Sequence, residues 1–274
     1  MDGANKYGIC EWCLPVNGPA AVEFAANLGF DGIQIGDLGG AGTGFPLLDP
    51  ALQAMYRAVT ERCGIAVHSL HTHALTREGG MRHPPGSTEG KAALAGFDKA
   101  LEACNAMNIP TLMVASFAAS NVTNDYDMEN TAKALALYAE HAAARGVALV
   151  YEAVTSIDRI MWILDAAGPD VQVCYDTLNP IRFGTGDPAR ELERLDVTRI
   201  NHVHVKDMPP DMAGCRFLGK GVGKFRETAS ILRAKGHSGW FFVENYYCLP
   251  PMNTLGSVSQ LAAEDLARMR ECLG

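Results

Sequence analysis

Eight short apolar or β-branched runs alternate with eight helical stretches along this chain, and the residues between them are helix starts and stops. The runs are Lys6–Cys10, Gly32–Ile35, Ile65–Leu70, Thr111–Ala115, Ala148–Glu152, Val171–Asp176, Asn201–Asp207 and Trp240–Glu244. Each reads as a strand by its length and its enrichment in Val, Ile and aromatic residues. Gly18-Pro19 opens a helix to Leu28, stopped by Gly29, and Asp49-Pro50 opens another to Cys63, stopped by Gly64. Pro at the first helical position and Gly just past the last are the expected asymmetry. A helix from Ser87 to Met107 follows the His-, Gly- and Pro-rich segment His71–Gly86, which reads as a loop, and another runs from Asp125 to Arg145. Thr155-x-x-Asp158 and Ser257-x-x-Gln260 resemble capping boxes, Asp187-Pro188 repeats the cap-plus-Pro device, and one helix ends before Gly236. Strands that alternate with helices at this spacing are parallel and joined by helical crossovers. Eight such units in 274 residues predict a single (β/α)8 TIM barrel over residues 1–274, close to the roughly 250 residues that fold needs. No G-x-G-x-x-G opens the first helix, which argues against an open dinucleotide-binding sheet.

Composition narrows the function. Hydrophobic residues make up 48% and charged residues 20%, enough apolar surface for a sizeable core. A net charge of −8 disfavours a nucleic-acid partner, which would require a basic face to release phosphate counterions. No run reaches the roughly 18 apolar residues of a membrane span. The eight cysteines are dispersed, and Met1–Tyr7 is polar with no apolar leader core, so reduced thiols in a cytoplasmic setting are expected. Cys10-Glu11-Trp12-Cys13 has no second C-x-x-C to complete a zinc site and reads as two ordinary thiols.

The informative feature is how the later strands end. Glu152, Asp176, His204 and Glu244 close strands five to eight, and period-two counting puts each on one face with Val150, Cys174, His202 and Phe242 respectively. In a barrel, that end of the strands is where active sites form. Three carboxylates and an imidazole brought together repel one another unless a cation relieves them. The oxygen-rich set suits one divalent metal, Mn2+ or Mg2+, while the imidazole also admits Co2+ or Zn2+.

The residues Tyr151-Glu152, Tyr175-Asp176-Thr177, His202-Val203-His204-Val205-Lys206-Asp207, Gly219-Lys220-Gly221 and Val243-Glu244-Asn245 resemble the xylose isomerase-like TIM-barrel superfamily of sugar isomerases and epimerases, with inosose dehydratases and endonuclease IV-type enzymes among its members. The resemblance implies that Glu152 and Glu244 bind the metal and also remove and return a proton on opposite faces of a substrate carbon, through a metal-stabilised enediolate. It further implies a small sugar or polyol substrate. The chain departs from the ketose 3-epimerase pattern at Asn179, where those enzymes carry a substrate-binding His, and at Met208-Pro209-Pro210, where they carry an Arg.

Further candidates for substrate contact are His68, Asn179, His202, Lys206, Arg216 and Trp12. Arg216 is expected either to replace the missing Arg or to lie at the surface, Trp12 either to wall a sugar face or to plug the barrel mouth, and Lys206 either to reach substrate or to pair with Asp207. Of the histidines around the third strand, His68 is the one expected to point into the pocket, with His71 and His73 in the following loop. Glycines 219, 221 and 223 are a possible phosphate cradle. Competing functions are an inosose-type lyase, a non-catalytic sugar-binding protein and an endonuclease-like hydrolase. The last is disfavoured by the acidic charge and by a fourth strand ending in Val-Ala-Ser. Self-association into a homo-oligomer stays open.

Overall fold

Residues 4–274 are described by a computed structural model; Met1, Asp2 and Gly3, and with them part of the polar Met1–Tyr7 start, lie outside the described residues. The strands are β1 (Lys6–Cys10), β2 (Gly32–Gly36), β3 (Ala66–His71), β4 (Thr111–Ser116), β5 (Ala148–Ala153), β6 (Val171–Asp176), β7 (Ile200–Val205) and β8 (Trp240–Val243). They hydrogen-bond in chain order into a closed barrel, β1 pairing in parallel with both β2 and β8. The chain has the (β/α)8 fold that its alternation predicts.

The helices are α1 (Pro19–Asn27), α2 (Pro50–Cys63), α3 (His73–Glu78), α4 (Thr88–Met107), α5 (Asp125–Ala143), α6 (Ile157–Ala167), α7 (Asn179–Arg182), α8 (Pro188–Arg194), α9 (Phe225–Ala234) and α10 (Val258–Leu273). The caps act largely as the sequence implies. The Ser87 hydroxyl accepts from the Gly90 N–H, Asp187 from Ala189 and Arg190, and Ser257 and Gln260 form a reciprocal box. Two readings are corrected. The Thr155-x-x-Asp158 box does not form, because the N-cap falls one residue later, on Ser156, and that spacing no longer spans N-cap to N3. The His71–Gly86 loop contains α3 and a 3-10 turn, Gly80–Arg82, which its Gly and Pro content concealed. The short α7 was also not anticipated.

Contacts group the chain into two compact units. One comprises residues up to Gln34, Thr60–Ala66 and Tyr175–Gly274; the other comprises Ile35–Val59 and Val67–Cys174.

In the first unit, small and large side chains are matched on the strands. A Cβ on Gly8 would stand 2.2 Å from Phe242 Cε1, and one on Gly32 would stand 2.4 Å from Trp240 Cζ3. Trp240 and Phe242 stack on each other at 5.5 Å, so the rings occupy the space those glycines leave. The ends of β7 and β8 are tied to α10 by a buried network. Asp265 Oδ2 accepts from Asn245 Nδ2 (2.7 Å) and Tyr247 OH (2.9 Å), and its Oδ1 accepts from the Leu218 N–H (2.9 Å). Asn245 also donates to the Arg216 carbonyl and accepts from the Asp207 N–H.

In the second unit, Met113 of β4, Val150 of β5 and Cys174 of β6 form one buried cluster. His71 pairs in register with Met113, and Met113 with Val150. The face that carries Glu152, two residues beyond Val150, is therefore the face that carries His71. The opposite face of β3 bears Leu70 and Thr72, which line an apolar cavity against Gly96, Lys99 and Ala100 of α4. Phe45, left-handed at φ 56°, covers that cavity with its ring 4.0 Å beneath Lys99 Nζ.

Two stability tests follow from this packing. Gly8→Ala forces a methyl against a rigid, buried ring and should destabilise the fold by about 1–3 kcal/mol in urea unfolding. The double variant Gly8→Ala/Phe242→Leu should recover part of that loss, whereas additive losses would refute the matched-pair account. Burial pushes the Asp265 carboxyl up from 3.8 to about 6, against the hydrogen bonds from Asn245, Leu218 and Tyr247. A raised carboxyl pKa means that the folded state holds the proton longer than the unfolded chain. Its contribution is thus present below the unfolded value and is lost as pH rises toward about 6. Asp265→Asn should flatten that downward slope of unfolding free energy with pH, whatever it does to absolute stability.

Candidate functional site

The end of β7 carries the site's organising charge. Lys206 follows the last strand residue and is buried; its Nζ lies 2.8 Å from Asp176 Oδ2 and 2.7 Å from Glu244 Oε2. Carboxylates ending β6 and β8 therefore converge on one cation, the Lys206 ammonium. The pairing expected between Lys206 and Asp207 does not form. Asp207 instead turns back to accept from the N–H groups of Met208 (3.0 Å), Gly221 (2.9 Å) and Gly223 (2.7 Å). That contact also corrects the phosphate reading of the glycine loop, because two of its amides already hold the chain's own carboxylate. Gly221 is required there, since a Cβ would come within 2.1 Å of the Met208 carbonyl.

Asp176 presents its two oxygens differently. Oδ1 accepts from the Leu178 and Asn179 N–H groups at 2.8 and 2.7 Å, which leaves Oδ2 toward Lys206. Asn179, the first residue of α7, thus meets Asp176 through its main chain. Glu244 is likewise divided. Oε1 accepts from Trp12 Nε1 at 2.9 Å, while Oε2 faces Lys206 and stands 3.6 Å from His204 Nδ1. Trp12, anticipated as a sugar wall, here orients a carboxylate; its ring also meets His204 edge-on at 6.2 Å. Burial pushes the Glu244 carboxyl up. The charge of Lys206, with the hydrogen bonds from Lys206 and Trp12, outweighs that and holds it well below the usual carboxylate range.

His204 is fully buried, and its Nε2 lies 2.6 Å from Gln34 Oε1 and 3.8 Å from Cys10 Sγ. His202, two residues earlier, is equally buried and faces Gln34 Nε2 at 3.5 Å. Asp176 and His204 each offer a ligand-type atom, the two within 4.8 Å. Oxygens from two carboxylates beside an imidazole, already holding an ammonium, make a donor set that fits a divalent cation.

Glu152 is buried near the end of β5, on the strand face shared with Val150. His68 is half-buried on the face of β3 that bears Leu70 and Thr72, so it is not the pocket histidine of that strand. His71 lies on the other face, which it shares with Met113, and its ring is tilted against that of His73 at 4.0 Å. The strand carries histidines on both faces, and only its pairing with β4 tells them apart. Arg216 is half-buried, with its carbonyl accepting from Asn245. Gln34 was missed altogether. The available signal was a glutamine in the middle of GIQIG, a strand buried at every position. All eight cysteines are free thiols, and among the described residues no helix is long and apolar enough to cross a membrane.

Comparison with known proteins places this arrangement. The family described as xylose isomerase-like TIM barrel matches residues 22–272. A relative from an Actinoplanes species, 2-epi-5-epi-valiolone 7-phosphate 2-epimerase, is 34% identical over 229 residues, covering 83% of this chain and 82% of its own length. Among solved structures, D-psicose 3-epimerase from Clostridium cellulolyticum H10 with D-tagatose superposes with a TM-score of 0.78 at 16% identity, over 98% of this chain and 99% of that one. The IOLI protein with a bound zinc atom gives 0.73 at 15% identity, covering 98% of each chain. At those identities the superpositions speak for the barrel alone. The family match spans nearly the whole described chain and includes every strand-end carboxylate discussed above, so this protein belongs to the xylose isomerase-like TIM barrel family.

Proposed function

We propose that this protein is a divalent-metal-dependent epimerase or isomerase that moves a proton at the carbon next to the carbonyl of a small sugar or keto-cyclitol. The observation that carries the reading is the buried convergence of Asp176 and Glu244 on a single cation beside His204. The 34%-identical relative, named as a 2-epimerase of a cyclitol phosphate, supports the same chemistry and the same substrate class.

Asp176, His204 and Glu244, with Glu152 from β5, would hold the metal. When bound, it supplies Lewis-acid polarisation of a carbonyl group. The protein's own groups do the proton work. Glu244 is kept ionised by Lys206 and is aimed by Trp12, so it stands ready as a base. Glu152 is the partner base, serving the opposite face of the same carbon. The Lys206 ammonium, 2.7 Å from Glu244 Oε2, is placed to donate to a substrate oxygen once a metal takes over the carboxylates. Asn179, Arg216 and His71 complete the groups proposed around the substrate, while His202, expected from the sequence to contact it, has both ring nitrogens turned to Asn201 and Gln34. Burial of the carboxylates and imidazole keeps bulk water from the proton while it is held.

Deuterium uptake from D2O tests the reaction directly. A panel of ketoses, ketose phosphates and keto-cyclitols, incubated with Mn2+-loaded protein, should include a compound that gains one deuterium beside its carbonyl and yields its epimer. Loss of water without an epimer would replace this reading with the lyase alternative. Glu244→Gln and Glu152→Gln should each lower turnover by about 10²-fold or more, with metal content measured alongside the rate. In a two-base epimerase, each variant should still exchange the proton of one epimer but not of the other. Full activity of both variants with metal bound would refute the mechanism.

Lys206→Met tests the site without a substrate. It leaves two buried carboxylates uncompensated, so the metal-free protein should lose about 3 kcal/mol in urea unfolding. Mn2+ should then raise the melting temperature of Lys206→Met more than that of the parent protein. Equal Mn2+ shifts in the two proteins would separate Lys206 from the cation site.

A further inference from the structure

We propose that Gln34 is a positioning residue: it fixes the tautomer of His204, so that the ring nitrogen facing Glu244 carries a lone pair and not a proton. The inference rests on the metal role assigned above to His204, and the geometry reaches it through a chain of four side chains on β2 and β7.

The chain is anchored at its far end. His202 Nδ1 lies 2.8 Å from Asn201 Oδ1, and an amide oxygen can only accept. Neutral His202 therefore carries its proton on Nδ1, and its Nε2 is an acceptor. Gln34 Nε2 faces that acceptor at 3.5 Å, the longest link in the series. The Gln34 amide is thereby oriented with its oxygen on the other side, where it receives the Cys10 thiol at 3.6 Å and stands 2.6 Å from His204 Nε2. Because that oxygen can also only accept, His204 must donate from Nε2. In the neutral ring Nδ1, 3.6 Å from Glu244 Oε2, is then left with the lone pair.

The opposite assignment has a clear cost. Moving the proton of the neutral ring to Nδ1 would abolish its capacity to ligate from that side and would leave two acceptors, Gln34 Oε1 and His204 Nε2, facing each other in a buried space. A glutamine in the middle of an otherwise apolar strand is explained by this double duty, since one end of its amide donates while the other accepts. Neither Leu, Met nor Glu at this position could do both. Ligating imidazoles commonly have their second nitrogen held in this manner, with losses of about 10–100-fold in metal affinity when the outer group is removed.

The test reads tautomers in the metal-free protein, so it does not depend on turnover. With 15N-labelled histidine at about pH 8, where exposed imidazoles are neutral, long-range 1H–15N correlations distinguish the two N–H positions. His204→Gln and His202→Gln assign the signals. Wild-type protein should show His204 as the Nε2–H form and His202 as the Nδ1–H form. Gln34→Glu keeps the acceptor and should preserve the His204 form, whereas Gln34→Met should leave His204 as a mixture with an unchanged circular dichroism spectrum. Gln34→Met should also weaken Mn2+ binding by about 10–100-fold, and Gln34→Glu should do so less. A wild-type His204 protonated on Nδ1, or an unaltered His204 pattern in Gln34→Met, would overturn the proposal. If Gln34→Met does not fold, the wild-type tautomers decide the question alone. Failure of wild-type protein to bind Mn2+ would sink the metal reading, and the tautomer assignment would still be tested by its own spectrum.

Discussion

A buried ammonium shared by two carboxylates is the interaction on which the ends of β6, β7 and β8 depend. Two carboxylates removed from water are costly unless they are compensated. Lys206 compensates both, at 2.8 Å from Asp176 and 2.7 Å from Glu244. The remaining oxygens are not left to chance. Main-chain N–H groups of Leu178 and Asn179 take Asp176 Oδ1, and the Trp12 indole takes Glu244 Oε1. Each carboxylate therefore has one oxygen committed to the scaffold and one committed to a cation. That division holds each side chain in place through its first oxygen and turns the second to the ammonium.

The same economy governs the loop after β7. Asp207, beside Lys206, points away from the site and gathers the Gly221 and Gly223 amides, while Asn245, beside Glu244, bridges the Asp207 N–H, the Arg216 carbonyl and Asp265. Alternate residues after each strand thus serve opposite functions: Lys206 and Glu244 carry charge into the site, and Asp207 and Asn245 anchor the segments that hold them. Gly221 and Gly223 of that loop are demanded by close approach to carbonyl and carboxylate oxygens and not by an incoming phosphate.

Polar groups beneath the charged layer follow a comparable logic. His202, His204 and Gln34 are fully buried, and each finds a partner: His202 on Asn201 and Gln34, and His204 on Gln34. Around them the space is filled by Phe242 and Trp240 against glycines, so the rings and the imidazoles share one interior without a gap. His202 and Phe242 meet edge to face at 5.5 Å, a contact that restricts the rotation of His202 and with it the series leading to His204.

The sequence by itself determined the fold class, the strand order and the strand-end acids, because those depend on local periodicity and on residue types that punctuate helices. It also led to family membership, through short motifs at the ends of β5 to β8. What only the tertiary structure decided were the partners. Lys206 pairs with Asp176 and Glu244 and not with its neighbour Asp207, His71 and not His68 shares the face of Met113, and Gln34 meets His204 across 170 positions of chain. Period-two counting names two faces of a strand but does not say which one is turned toward the site, and only the pairing with neighbouring strands decides that. Hydrogen bonds between distant strands leave no periodic trace in a single sequence, so the residue that orients the histidine could be recognised only once β2 and β7 were seen in one barrel.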